Sequence, residues 1–433
     1  MSEALVRLTA VETAAMVRSR QVKAEEVASA VLDRIRNRDQ EVGAWAYVDP
    51  DLVMRRARAL DAQPEPGPLA GVPFAVKDII DTADEPTQYG TPIHQGRQAN
   101  RDAACVALTR RAGGLLIGKA VTTEFANVSP GKTRNPLDLS RTPGGSSSGS
   151  AAAVADHTSA LALGTQTTGS TTRPASYCGV FGYRPTYGEL RMSGVMEAAG
   201  SFDTLGILTR SLEDVVRYRR VLLASSAATV EAPRPRIGFC RPYFWSRLDQ
   251  EVRDLLSGVA DRLSEAGAMI DEVELPGRLE EAETAHRWVA GFEMARNLTW
   301  EIEHHFEEIS PRLREGRIKD GLATTYETYV EMLNLLRQLR AETAPVFDRY
   351  DILVAPAAAR EAPEGWDPVP DPWVHMMWTA LHVPSITMPV LTGGNGLPIG
   401  VQLIGRWHGD DQLLAQTQYL LDSLTTTTTS KEA

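Results

Sequence analysis

Residues 143–188 read PGGSSSGSAAAVADHTSALALGTQTTGSTTRPASYCGVFGYRPTYG. The stretch holds two loops crowded with Gly, Ser and Thr. The first is followed at once by SAAAVA, a helix start, and then by the apolar run ALALGT at 160–165. The second loop follows that run and precedes another, GVFGY at 179–183. A flexible Gly/Ser linker would lie between polar stretches. These loops instead sit at the ends of apolar runs, where backbone N–H groups and small hydroxyls gather at one spot.

The pattern extends outward in both directions. Short apolar runs recur as GVPFAVKDII (71–80), LLIGKA (115–120), RIGFC (236–240), ILVAPA (352–357), SITMPV (385–390) and GVQLIG (400–405). Their length and β-branched content read as buried strands. Helical patterns fall between most of them, at 102–112, 149–157, 211–224, 250–266 and 410–423. Strands alternating with helices predict an α/β domain: a mixed central sheet covered by helices on both faces. Its core spans 62–225 and 350–410. Residues 8–62 read as helical, with Thr9 and Glu12 at capping-box spacing. Residues 280–345 read as a helical excursion that walls a pocket, carrying His286, Trp288, Trp300, His304 and His305. The domain ends near 424, and residues 425–433 read as a disordered tail.

Bulk properties narrow the function. The 433 residues are 43% hydrophobic with a formal net charge of −11. That acidity argues against nucleic acid or an anionic membrane as partner. Cys105, Cys178 and Cys240 are odd in number and far apart, which supports neither a disulfide framework nor a zinc site. The N-terminus lacks an apolar signal core, and no apolar run reaches the ~18 residues of a membrane span. A cytoplasmic enzyme without metal or cofactor is expected.

Three chemistries fit the serine loop on its face. Gly144 and Gly149 have phosphate-loop spacing, but Ser150 and Ala151 stand where Lys and Ser/Thr are needed. Gly145-Ser146-Ser147-Ser148-Gly149 fits a nucleophile elbow with Ser147 as nucleophile. That reading, an α/β-hydrolase esterase, needs a histidine, and nothing marks His375, His382 or His408 for the role. The third chemistry comes from a resemblance.

The 143–188 stretch resembles the amidase signature family. So do GPLAGVPFAVKDIIDTADEPTQYGTP (67–92), GGLLIGKAVTTEFA (113–126), RNPLD (134–138), YDILVAPA (350–357) and GLPIGVQLIG (396–405). Their order and spacing match the family across most of the chain. The resemblance implies a Ser–cis-Ser–Lys triad: Lys77 as base, Ser146 as bridging cis-serine, Ser170 as nucleophile. Backbone N–H groups of Thr167, Thr168, Gly169 and Ser170 would form the oxyanion hole. The lysine must then be neutral, and lowering it from ~10.4 to ~7 corresponds to about 5 kcal/mol. Burial supplies that much, and Lys77 lies in an apolar run. Lys119 lies in an equally apolar one, and a lysine at a strand end ordinarily snorkels to the surface.

The sequence departs from many members in Thr168 before Gly169-Ser170, in Gln166, and in Thr171-Thr172-Arg173-Pro174. That order looks most like the malonamidase branch. It implies Arg173, with Gln166 and Thr172, as substrate-binding residues, Arg173 clamping a carboxylate such as that of malonamate; the alternative for Arg173 is a tie to a nearby acid or carbonyl. The expected substrate is a small amide, or a carbamate or urea derivative, hydrolysed without cofactor. An amidotransferase A-subunit is the family alternative, with Thr168 and RPASYCG counting against it. Similar proteins imply a homodimer through residues 7–62.

Overall fold

Lys77 closes the strand Pro73–Lys77, whose five residues are all buried. A five-residue strand can bury both faces only in the middle of a covered sheet. The computed structural model describes residues 2–225, 234–365 and 371–429, and it builds that sheet from eleven strands. In chain order they are β1 (Trp45–Tyr47), β2 (Pro73–Lys77), β3 (Leu115–Ala120), β4 (Leu161–Gln166), β5 (Phe181–Arg184), β6 (Thr204–Thr209), β7 (Arg236–Cys240), β8 (Met269–Val273), β9 (Ile352–Pro356), β10 (Ser385–Thr392) and β11 (Pro398–Ile404). The spatial order is β1-β3-β2-β4-β6-β5-β10-β11-β9-β7-β8. β2 runs parallel to β3 and β4, and β7 parallel to β8 and β9. The remaining pairs are antiparallel, so the sheet is mixed.

Alternation along the strands divides the core in two. Phe74 and Val76 of β2 join one cluster with Leu161 and Leu163 of β4. Ala75 and Ala162, the residues between them, join the other. The first cluster is roofed by the helices Leu212–Leu223, Gln250–Glu265 and Glu281–Asn297. The second is roofed by Ala24–Val42, Pro50–Asp61 and the Ala-rich helix Ser148–Ala155. The chain is one α/β domain with helices on both faces of a large mixed sheet.

The expected boundaries need four corrections. The 8–62 segment is not wholly helical: β1 interrupts it and pairs with β3. The capping box at Thr9 and Glu12 is present on the helix Ala10–Arg18. The sheet reaches outside 62–225 and 350–410, through β1, β7 and β8. The last helix runs Asp410–Thr429, so 425–429 are helical rather than a tail; extending a formed helix costs less than nucleating one. Residues 430–433 lie outside the described residues. The 280–345 excursion is helical but broken, with a π turn at Arg314–Ile318. Among the described residues no helix is long and apolar enough to cross a membrane.

Candidate active site

The C-terminal ends of the parallel trio β2, β3 and β4 converge. In open α/β sheets this is where ligands are received. β2 delivers Lys77 and β4 ends at Gln166, ahead of the loop Thr167–Thr171. β3 leads into 121–129, which supplies Ala126, Asn127 and Val128 to the cavity beside Ser170. The serine loop enters from the side. Gly144 takes φ 76°, and a Cβ there would meet Pro174 Cα at 3.1 Å, so only glycine fits. The Gly145–Ser146 peptide is cis.

Lys77 is fully buried. Its Nζ lies 2.7 Å from Ser146 Oγ and 2.8 Å from Thr165 Oγ1. Burial pulls its pKa down to about 7 from the ordinary 10.5, while the charge of Asp203 works in the opposite direction. Asp203 is buried and held up to about 7 by the same desolvation. It accepts from Thr167 Oγ1 at 2.5 Å and from Ala198 N and Ala199 N at 2.7 and 2.9 Å. A neutral amine hydrogen-bonded to a serine hydroxyl is equipped to take a proton from it.

Ser170 is nearly buried and faces a cavity of about 250 Å³, together with Thr167, Thr168 and Arg173. Ala290 and Met294 of Glu281–Asn297 form another wall, so the helical excursion does bound the pocket. Arg312 and Arg317 stand at its far side, and no carboxylate side chain lies among its described lining residues. Arg173 is buried, and its Nη2 donates to Gly145 O at 2.5 Å. It thus touches the serine loop as well as the cavity.

The loop itself is held from behind. Thr379 Oγ1 donates to Thr168 O at 2.6 Å. His286 Nε2 donates to Thr167 O at 2.8 Å. A Cβ on Gly169 would fall 2.3 Å from His375 Cδ2, so the imidazole occupies the space of any side chain there.

Two expected substrate-binding residues are elsewhere. Gln166 and Thr172 are buried and do not line the cavity. Gln166 Oε1 accepts from Thr171 N, Thr172 N and Thr172 Oγ1 at 3.0–3.1 Å. Their polar atoms are committed to shaping the turn after β4. The esterase alternative also loses its nucleophile: Ser147 Oγ donates to Thr165 O at 3.2 Å and accepts from Thr165 N at 3.3 Å. His375 instead faces Thr172 Oγ1 at 3.1 Å. Lys119 is buried too, but its Nζ bonds Ile80 O, Thr82 Oγ1 and Thr87 Oγ1, away from the serines.

Sequence reasoning missed Thr165, Asp203, Arg312, Arg317 and Thr379. An acid set between apolar residues in SFDTLGIL was a readable sign for Asp203. Thr165 lies beside Gln166 but looks like any strand residue there, and Arg312, Arg317 and Thr379 come from distant segments with no local pattern to mark them.

Known proteins share this architecture. The glutamyl-tRNA(Gln) amidotransferase A-subunit of Acidothermus cellulolyticus is 34% identical over 94% of this chain and 93% of its own. A solved amidase structure superposes with a TM-score of 0.88 at 29% identity, covering 94% of this chain and 98% of that one. A chain of an inhibitor-bound vestigial protein complex, described as revealing the origins of an s-triazine catabolic enzyme, gives 0.87 at 26%, covering 96% of this chain and 98% of that one. The Amidase family profile matches residues 26–414, and the chain belongs to that family of enzymes acting on C–N bonds.

Proposed function

We propose that this chain hydrolyses the C(=O)–N bond of small, carboxylate-bearing amides through an acyl-enzyme on Ser170. The observation that carries the reading is the buried Lys77 Nζ, 2.7 Å from Ser146 Oγ and lowered to about 7. Ser170 Oγ attacks the carbonyl carbon; its proton passes to Ser146, whose own proton passes to Lys77. The N–H groups of 167–170 hold the oxyanion. Collapse breaks the C–N bond, and the amine leaves with the proton returned along the relay. Water then attacks the ester by the same route and frees the acid. The cavity, at about 250 Å³, is below the ~300–1,000 Å³ usual for drug-sized ligands. Its arginine lining supports an anionic substrate.

A second reading is an amidotransferase A-subunit that takes ammonia from glutamine. It is supported by the amidotransferase relatives, matched over nearly the full length of both chains. That likeness outweighs the departures at Thr168 and RPASYCG, and it puts glutamine ahead of malonamate as first substrate. Glutamine also carries a carboxylate, so the arginine-lined cavity suits both. The carbamate alternative rests only on the shared chemistry.

The test is nitrogen release from L-glutamine, malonamate, malonamide, an aryl amide and an aryl carbamate, using wild type, Ser170→Ala and Arg317→Gln. Carboxylate-bearing amides should lead, with Ser170→Ala inactive and Arg317→Gln losing mainly the preference for charge. Activity surviving in Ser170→Ala would overturn the acyl-enzyme. A lead for the neutral substrates would overturn the carboxylate.

A further inference from the structure

The proposed reaction gives the side chain of Thr168 and its neighbours no task. Thr168 Oγ1 lies 3.4 Å from His286 Nε2, the same nitrogen that donates to Thr167 O at 2.8 Å. His286 comes from the helix Glu281–Asn297, 119 residues away. Its ring is fully buried and stacked on Phe202 with centroids 4.3 Å apart. Burial pushes its pKa down to about 3, so it is neutral with one N–H, and the bond to a carbonyl places that hydrogen on Nε2. On the next peptide, Thr379 Oγ1 donates to Thr168 O at 2.6 Å from the helix Trp373–Ala380, 211 residues away. Thr379 is also fully buried.

A trans peptide is planar, with its C=O and N–H directed oppositely. Fixing the Thr167 carbonyl therefore fixes the Thr168 N–H. Fixing the Thr168 carbonyl fixes the Gly169 N–H. Donors outside the cavity thus grip the backs of two consecutive peptides whose side chains, Thr167 and Thr168, line it. Catalytic hydrogen bonds act best when their donors need no reorientation during the reaction.

We propose that His286 and Thr379 are positioning residues that aim the Thr168 and Gly169 N–H groups at the developing oxyanion. The proposal rests on the Ser170 acyl-enzyme reading. Thr168 belongs to the same device: its hydroxyl lies beside the imidazole that grips its own peptide. Removing one oxyanion donor costs about 10²–10³-fold. Letting one swing free should cost about 10–100-fold.

The experiment measures the rate at which a fluorophosphonate, a serine-directed probe that needs no known substrate, labels the full chain between pH 6 and 9. Thr379→Val should label about 10–100-fold more slowly, with the same pH midpoint as wild type. Thr379→Ser should recover most of the rate, and His286→Leu should resemble Thr379→Val. A Thr379→Val rate within about twofold of wild type would overturn the positioning role. So would a shifted midpoint, which would mean that the base had moved instead, or a Thr379→Ser variant no better than valine. Ser170→Ala must abolish labelling. If labelling persists there, the acyl-enzyme reading fails and the proposal fails with it; if only Thr379→Val fails to respond, the acyl-enzyme stands.

Discussion

Replacing Lys77 by methionine should abolish activity and yet make the protein more stable at neutral pH. An ordinary lysine near 10.5 is neutral in about one molecule in 3,000 at pH 7. Lys77, lowered to about 7 by burial, is neutral in roughly half. The gain in available base is about 10³-fold. It corresponds to about 5 kcal/mol of disfavour for the ammonium in the folded chain. The unfolded chain escapes that penalty. Because the folded value lies below the unfolded one, the penalty is complete below pH ~7 and fades as pH rises towards ~10.5. Methionine removes it, together with the bonds to Ser146 and Thr165, each worth about 1 kcal/mol. Lys77→Met should therefore gain roughly 2–4 kcal/mol at pH 6 and lose about 1 kcal/mol at pH 10, read by urea unfolding. The wild-type rate should rise through pH ~7. Asp203 titrates in the same range, so this limb belongs to the pair. Asp203→Asn removes the charge that favours the ammonium and should move the limb to lower pH. A Lys77→Met protein less stable than wild type at pH 6, or equally offset at both pH values, would refute a neutral buried lysine.

Three further outcomes follow from the packing. Gly169→Ala forces a methyl into the His375 ring; it should cost about 1–3 kcal/mol in thermal unfolding and nearly all activity. Gln166→Leu strips an acceptor from three donors of the turn. It should lower stability by about 2–3 kcal/mol and leave the ranking of substrates unchanged, which a substrate ligand would not. Lys119, lowered only to about 8, faces the charges of Asp78 and Glu85. The penalty on its ammonium at pH 7, about 3 kcal/mol, nearly cancels its three hydrogen bonds at about 1 kcal/mol each, so Lys119→Met should change stability far less than Lys77→Met and leave the pH limb in place.

The runs PFAVK, LLIGKA and LALGTQ were legible as strands because they are short, apolar and buried on both faces. Met269–Val273 was not. It is an edge strand with Met269 exposed and two acids in five residues, so it carries no apolar signature. Thr204–Thr209 starts after Asp203 and has Gly206 at its centre, which breaks the pattern of a strand that is nonetheless central. The helical character of 280–345 and its place as a pocket wall were legible, but which of its residues line the cavity was not. Of its marked aromatics and histidines, His286 reaches the loop Thr167–Thr171, whereas Trp300 is half exposed, stacks with His304 and lies tilted against His305. Ala290 and Met294, which do line the cavity, look like any core residues. Lys77, Ser146 and Ser170 were singled out by family resemblance; spacing alone could not separate Lys77 from Lys119, since what separates them is which hydroxyls the fold brings within 3 Å.

One wall of the cavity beside Ser170 is also a wall of something larger. Asn127, Val128, Arg312, Arg317 and Met376 border both it and an outer groove of about 510 Å³. The outer groove is flanked by the Arg287–Asp320 pair, at 2.7 and 2.8 Å. On the proposed acyl-enzyme reading, ammonia set free at Ser170 would meet that groove next. In open water it takes a proton and ceases to be a nucleophile. A chain that hands its nitrogen on therefore requires another polypeptide to roof the groove, while a chain that only hydrolyses gains from leaving it open. On that reading the rim at Asn127, Val128, Arg312 and Arg317, which borders both spaces, is where the released nitrogen would become waste or reagent.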